Sequence, residues 1–118
     1  MAELGLIVLA ALATLAGSEW GLGSEAKSKQ FVQFKETEVL GHAGCNRFFG
    51  RYTFDGRAIR IGPLASTRMM CALDVMEAER KWIAMLEAAR VAEATHKELV
   101  LKDAAGAVVG RLNRRDWD

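Results

Sequence analysis

Short runs rich in hydrophobic residues recur along the chain between polar or glycine-containing segments, which is typical of β-strands. Such runs lie at residues 31–34 and 38–42, and again at residues 98–102 and 107–112. The last two flank residues 103–106, a turn that ends in glycine. Short strands separated by polar or glycine-containing turns are typical of a small antiparallel sheet. The pattern therefore predicts one hairpin in each half of the chain.

A further hairpin is predicted at the centre, where residues 51–54 and 57–61 flank the pair Asp55-Gly56. Asp-Gly readily adopts the positive φ angles of a two-residue type I′ turn, so we expect a tight connection there. Side chains alternate between the two faces of each strand. The residues expected on the buried face are Tyr52, Phe54, Ile59 and Ile61.

One amphipathic helix is predicted between Asp74 and Arg90. Asp74 can cap its first turn, and Glu77, three residues later, can complete a capping box. With no second helix available, the apolar side should pack on the sheet. The expected apolar side consists of Val75, Ala78, Trp82, Met85, Leu86 and Ala89, and the expected polar side of Glu79, Arg80, Lys81, Glu87 and Arg90.

The N-terminal segment is open to two interpretations. Residues 4–13 have the length and composition of a signal-peptide core, and residues 11–13 form an Ala-x-Ala cleavage site, which favours export to the envelope or periplasm or secretion. The preceding residues include Glu3 in place of the usual basic residue, and residues 6–9 also fit a buried strand. In that case the protein is cytoplasmic. Ser18 offers no thiol for lipidation after residues 15–17.

Composition narrows the classes of function. A length of 118 residues indicates one domain, with 51% hydrophobic residues available for its core. The charges of the 16 basic and 15 acidic residues nearly cancel, which argues against a protein that binds nucleic acid through its overall charge. No run reaches the roughly 18 to 20 apolar residues of a transmembrane helix.

Four spaced blocks resemble the signatures of the META (HslJ-like) family. Residues 44–52 show G-C-N-x-x-x-G-x-Y, residues 67–71 show T-[KR]-M-x-C, and residues 76–79 show M-E-x-E. Residues 15–22 resemble the opening strand of the family, L-x-G-[ST]-x-W-x-L. The blocks also occur in the family's order.

This resemblance implies an α+β fold, a curved antiparallel sheet with one principal helix packed on it. It places a single META-like domain at residues 15–118, with residues 1–14 as a signal-peptide remnant or an N-terminal apolar segment. It implies a non-enzymatic protein without a cofactor, secreted, periplasmic or lipid-anchored in bacteria. Relatives are linked to heat shock, antibiotic resistance or, in trypanosomatid parasites, virulence. We expect a monomer that binds an unknown protein, peptide or envelope ligand.

The glycine-rich block around Cys45 is open to two interpretations. Asn46 can tie neighbouring backbone groups together in a structural loop. Alternatively, a candidate binding loop of Asn46, Arg47, Thr67 and Arg68 would hold an anion or a peptide carboxylate, because guanidinium groups suit such ligands.

The two cysteines, Cys45 and Cys71, allow a single disulfide. They flank the central hairpin, whose turn can bring them together, so we expect a bond after export and two neighbouring thiols in a reducing cytosol. The alternative function is a small metal-binding or enzymatic domain. It would use His42, Cys45, Cys71 and His96, although the last two lack the short spacing of common zinc modules.

Overall fold

The computed structural model describes residues 11–22 and 29–116, and within these ranges the chain forms nine strands and one helix. The strands of the first half precede the helix, and three further strands follow it. The elements are β1 (Ser18–Gly21), β2 (Phe31–Phe34), β3 (Glu38–His42), β4 (Arg47–Phe54), β5 (Ile59–Ile61), β6 (Ala65–Ser66), α1 (Leu73–Ala88), β7 (Val91–Ala94), β8 (Glu98–Lys102) and β9 (Val108–Arg114).

The strands form one antiparallel sheet in the order β5-β4-β3-β2-β1-β9-β8-β7. The short strand β6 also pairs with β4, near the start of β4, whereas β5 pairs with its end. Pairing of β1 with β9 joins the two halves of the chain. The ends of the sheet also meet, because Ala58 bridges Val91 and the Ile59 N–H donates to the Arg90 carbonyl at 2.9 Å. The sheet therefore curves strongly around its core, and the predicted α+β fold is confirmed.

The concave side of the sheet holds one hydrophobic cluster, in which Trp20, Phe34 and Phe48 are almost fully buried. The Trp20 indole N–H donates to the Ser18 hydroxyl at 2.7 Å, and that hydroxyl donates to the Leu15 carbonyl. Buried polar groups need such partners. The serine and tryptophan of the opening strand are thus a connected structural pair.

The helix lies where the sequence predicts it, but its start differs. Ala72 is the N-cap residue and makes no side-chain cap hydrogen bond, so the predicted capping box of Asp74 and Glu77 is wrong. The chain enters the helix in an extended conformation one residue after Cys71, which places Asp74 already in the first turn. There its negative charge favours the exposed N–H groups through the helix dipole.

The buried face of α1 also departs from the prediction, at two neighbouring positions. Trp82 and Leu86 are buried as expected, but Ala78 is exposed and Glu79 is only 8% exposed. Assigning Glu79 to the polar side was therefore wrong. An acidic residue on an apolar helix face requires specific partners.

The central hairpin is present, with Phe54 paired to Ile59, but its connection is not the predicted two-residue type I′ turn. Within this connection Gly56 alone has a positive φ, +102°, and strand pairing stops at Phe54 and Ile59, so the loop spans residues 55–58. The Asp55 carboxylate closes it by accepting from the N–H groups of Arg57 and Ala58. These hydrogen bonds lower the pKa of Asp55.

The start of the described chain already belongs to the folded body. The Leu12 N–H donates to the Ala94 carbonyl at 2.8 Å, and the Leu12 side chain packs against the core. The predicted signal-peptide core at residues 4–13 and the alternative strand at residues 6–9 lie largely or wholly outside the described residues. Within the described ranges, α1 is neither long nor apolar enough to cross a membrane.

Gly41 provides a test of how tightly β2 and β3 pack. An ideal Cβ at this position would lie 2.1 Å from the Phe31 carbonyl oxygen, a backbone atom that cannot rotate away. We expect Gly41→Ala to lower the free energy of unfolding by about 3 kcal/mol, since overpacking forces a backbone shift. In the control, Gly106→Ala meets open space at φ +89° and should lose only about 1 kcal/mol through backbone strain. Equal losses in urea denaturation would contradict this packing.

Candidate functional site

Two family blocks meet the start of the helix at one end of the sheet. The first is the β3–β4 loop, residues 43–46. The second is the segment of residues 67–73, which we call the clamped loop and which runs from the end of β6 to the first residue of α1. Glu79, from the third block, lies beneath both.

The carboxylate of Glu79 is the centre of this arrangement. One of its oxygens accepts from the backbone N–H groups of Cys45, at 2.9 Å, and of Asn46, at 2.7 Å. The other oxygen accepts from the Asn46 side-chain amide at 2.8 Å. Two successive backbone N–H groups that lack strand partners are thus satisfied by one buried acid.

The ionised form of Glu79 is the stable one in the fold. Burial opposes ionisation, but the hydrogen bonds from Asn46 and Cys45, together with nearby His42, outweigh burial and hold the pKa of Glu79 below its ordinary value of 4.5. A carboxylate that accepts several N–H groups is stabilised in its charged state. Glu79 therefore carries a negative charge at neutral pH.

Asn46 transmits this anchoring to the clamped loop. Its side-chain oxygen accepts from the Met69 N–H at 2.6 Å and from the Thr67 hydroxyl at 2.9 Å. Its amide nitrogen donates to the Met69 carbonyl at 3.1 Å as well as to Glu79. Asn46 is 1% exposed, and its amide N–H groups and oxygen all have protein partners.

A disulfide bond fixes the same loop a second time. Cys45 and Cys71 are joined, with their Cα atoms 6.0 Å apart and a sequence separation of 26 residues. Closing a loop of this length stabilises a fold by about 3 kcal/mol in the chain-entropy account. The clamped loop is therefore held covalently at Cys71 and by hydrogen bonds at Thr67 and Met69.

The candidate binding residues divide into two kinds. Asn46 and Thr67 serve the internal network, and the Thr67 hydroxyl also accepts from the Arg47 N–H. The side chains of Arg47 and Arg68 are exposed instead. Among these four residues, only the two arginines offer free side-chain donors to a ligand.

The clamped loop also displays apolar side chains that the sequence reasoning did not single out. Met69, Met70 and Leu73 are 58%, 83% and 86% exposed. A cleft of about 460 Å³ lies beside them, between the loop and the helix. Its lining includes Thr67, Arg68, Met69, Met70, Met76 and Glu79.

The four residues proposed for the alternative metal site, His42, Cys45, Cys71 and His96, do not form one cluster of ligands. The disulfide leaves neither Cys45 nor Cys71 as a thiolate ligand. His42 accepts from the Gly44 N–H through Nδ1, and His96 is exposed in the β7–β8 turn. Among residues 11–22 and 29–116, no group of three or more His, Cys, Asp or Glu side chains is placed to hold a metal ion.

These features define a small α+β module with a clamped surface loop at one end of a curved sheet. Residues 12–116 match the META domain, and the chain belongs to that family. No curated protein matches the chain.

Two solved structures show the same kind of fold. An NMR structure of a protein from Burkholderia xenovorans superposes with a TM-score of 0.70 at 19% sequence identity, covering 87% of this chain and 85% of that one. A second protein solved by NMR has a TM-score of 0.60 at 26% identity, covering 86% of this chain and 90% of that one.

Replacing Glu79 tests the anchoring of the two loops. Glu79→Gln keeps the size of the side chain but removes the charge and sets an amide N–H₂ group against the donors around it. We expect a loss of about 2 to 3 kcal/mol in the free energy of unfolding at neutral pH, because buried N–H groups lose their acceptor.

The lowered pKa of Glu79 also predicts how the free energy of unfolding changes with pH. Because the pKa of Glu79 is lowered in the fold, its charge stabilises the protein above pH 4.5, and this contribution disappears as the pH falls through the folded value. Glu79→Gln should therefore flatten this part of the stability profile. Glu77→Gln, on the exposed side of α1, is the control and should change stability little. If the stability of Glu79→Gln still falls with pH as steeply as that of the parent protein, Glu79 is not the group responsible.

The disulfide makes a separate prediction. Cys45→Ser/Cys71→Ser should lower the free energy of unfolding by about 3 kcal/mol. It should also speed cleavage by trypsin after Arg68, because the loop can then open locally without global unfolding. Cleavage after Arg111, on β9, serves as the internal control. If cleavage at both sites accelerates equally, the bond stabilises the whole fold and does not specifically hold the loop.

Proposed function

We propose that this META-domain protein is a non-enzymatic binding module of the bacterial cell envelope, and that the clamped loop is its binding surface. The observation that carries the proposal is the exposure of Met69, Met70 and Leu73 on a loop fixed by a disulfide and by Asn46. The partner meets a preformed surface.

The disulfide supports the envelope as the place of action. Such bonds form and persist in oxidising compartments and are rare in the bacterial cytosol. Residues 4–13 supply a candidate export signal, with an Ala-x-Ala site at residues 11–13. Cleavage there would remove Leu12, with its hydrogen bond to Ala94 and its packing on the core, and would leave the strands and the helix in place.

The energetics of the loop support binding rather than catalysis. Exposed apolar side chains gain free energy when a partner covers them. Binding also loses less entropy when the surface is already ordered, and hydrogen bonds to Thr67 and Met69 order this loop in the free protein. Glu79 and Asn46, the buried polar side chains beneath the loop, are engaged in holding it.

Site-specific photo-crosslinking in the native host tests this proposal. A photoreactive amino acid at Met70 should give a discrete adduct in the envelope fraction upon illumination. The adduct should weaken when unlabelled protein is coexpressed, because a specific site saturates.

The matched control carries the same group at Ala104, an exposed residue in the β8–β9 turn. Equal crosslinking at Met70 and Ala104 would overturn the binding surface. N-terminal sequencing of the protein from the envelope fraction tests location independently. Recovery of the intact, unprocessed chain only from the cytoplasm would overturn the envelope assignment.

A further inference from the structure

The arginines of this protein fall into two groups. Six of the ten described arginines donate hydrogen bonds or form ion pairs through their side chains. For the other four, no hydrogen bond or ion pair of the guanidinium group exists among the described residues. These four are Arg47, Arg51, Arg60 and Arg68, and all are exposed.

Three of the four lie along one face of the sheet. Arg47 and Arg51 alternate with Phe49 on the outer side of β4, because Phe48 points into the core. Arg60 on β5 pairs with Thr53 and continues the row. We call Arg47, Phe49, Arg51 and Arg60 the arginine face.

The chain segment that carries this face and the clamped loop is rich in basic residues. The stretch of residues 45–72 contains five arginines and one aspartate, although the whole chain has a net charge of only +1. The aspartate, Asp55, accepts hydrogen bonds within its own turn. Glu38, opposite Arg51 on β3, is the acid closest in register, and it forms no ion pair with Arg51.

Apolar side chains accompany this charge. Phe49, in the middle of the arginine face, is 55% exposed. The clamped loop begins beside the face, where the Thr67 N–H donates to the Arg47 carbonyl at 3.0 Å. It then presents Arg68, followed by Met70 and Leu73, the most exposed large apolar residues among those described.

We infer that the arginine face and the clamped loop dock on an anionic lipid surface. Arg47, Arg51, Arg60 and Arg68 contact headgroup phosphates, and Met70 and Leu73 enter the apolar boundary beneath them. This inference rests on the proposed function, since it names the partner of the same loop.

The spread of the arginines favours lipid over a single small anion. Arg47 and Arg51 are four strand residues apart, about 13 Å, and Arg60, which pairs with Thr53, lies further along the same row, so one phosphate or carboxylate cannot contact all of these arginines. A lipid surface offers many phosphates without fixed spacing, and guanidinium groups bind phosphate well. It also offers an apolar layer directly below, which the exposed methionine and leucine require.

Vesicle sedimentation with the full chain tests the inference. The probe is vesicles of phosphatidylglycerol and phosphatidylethanolamine, compared with vesicles of phosphatidylcholine alone. We expect preferential binding to the anionic vesicles, weakening as salt rises from about 0.05 M to about 0.5 M. The apolar segment at residues 4–13 is present in every variant, so differences between variants report on the proposed surface.

Two variants separate the parts of the surface. Arg47→Glu/Arg68→Glu should weaken binding to anionic vesicles at least about 30-fold, which corresponds to about 2 kcal/mol for two arginines near such a surface. Met70→Ser/Leu73→Ser should weaken binding while leaving its salt dependence in place. The control, Lys81→Glu/Arg111→Glu, makes the same change in net charge at exposed positions on α1 and β9.

An equal loss in the control variant, or equal binding of the parent to both kinds of vesicle, would overturn the inference. If vesicles fail to bind and position 70 still crosslinks to an envelope protein, the partner is a protein. The proposed function then stands and the lipid assignment fails. If the protein binds the anionic vesicles but is found only in the cytoplasm, the lipid inference stands and the envelope assignment fails.

Discussion

The buried carboxylate of Glu79 is the interaction on which this end of the molecule depends. It receives the N–H groups of Cys45 and Asn46 where the β3–β4 loop leaves the sheet, and it orients the Asn46 amide. That amide in turn holds Met69 through both its oxygen and its nitrogen. A chain of hydrogen bonds therefore connects the helix, the first loop and the second loop, and each link leaves an unsatisfied buried group if its neighbour is removed.

This anchoring explains how a protein with a single core can display apolar side chains. The backbone is held on both sides of Met70, by the hydrogen bonds between Asn46 and Met69 and by the disulfide at Cys71, and Leu73 is held as the first residue of α1. The hydrogen bond from the Thr67 N–H to the Arg47 carbonyl keeps the start of the loop beside Arg47. The fold thus separates two tasks: the interior fixes the geometry, and the surface retains arginines and apolar groups that no internal contact uses.

The sequence predicts the fold well because alternation and helical periodicity record burial directly. It misplaces Glu79, since residue type alone assigns an acid to the solvent side. Val75, Glu79, Trp82 and Leu86 follow helical spacing of four, three and four residues, so an acid on the apolar stripe was the signal available. The turn at Gly56 was predicted in position but not in length, because the Asp55 carboxylate binds the loop backbone in a way that the Asp-Gly pair alone does not specify.

Amide hydrogen exchange measures how rigidly the clamped loop is held in the free protein. The Met69 N–H donates to the buried Asn46, so we predict that it exchanges as slowly as the N–H groups of Cys45 and Asn46, through the same opening. All three should become faster together when Glu79 is replaced by Gln. If the Met69 N–H exchanges rapidly in the parent protein while those of Cys45 and Asn46 remain protected, the clamped loop is not held by the Glu79 network.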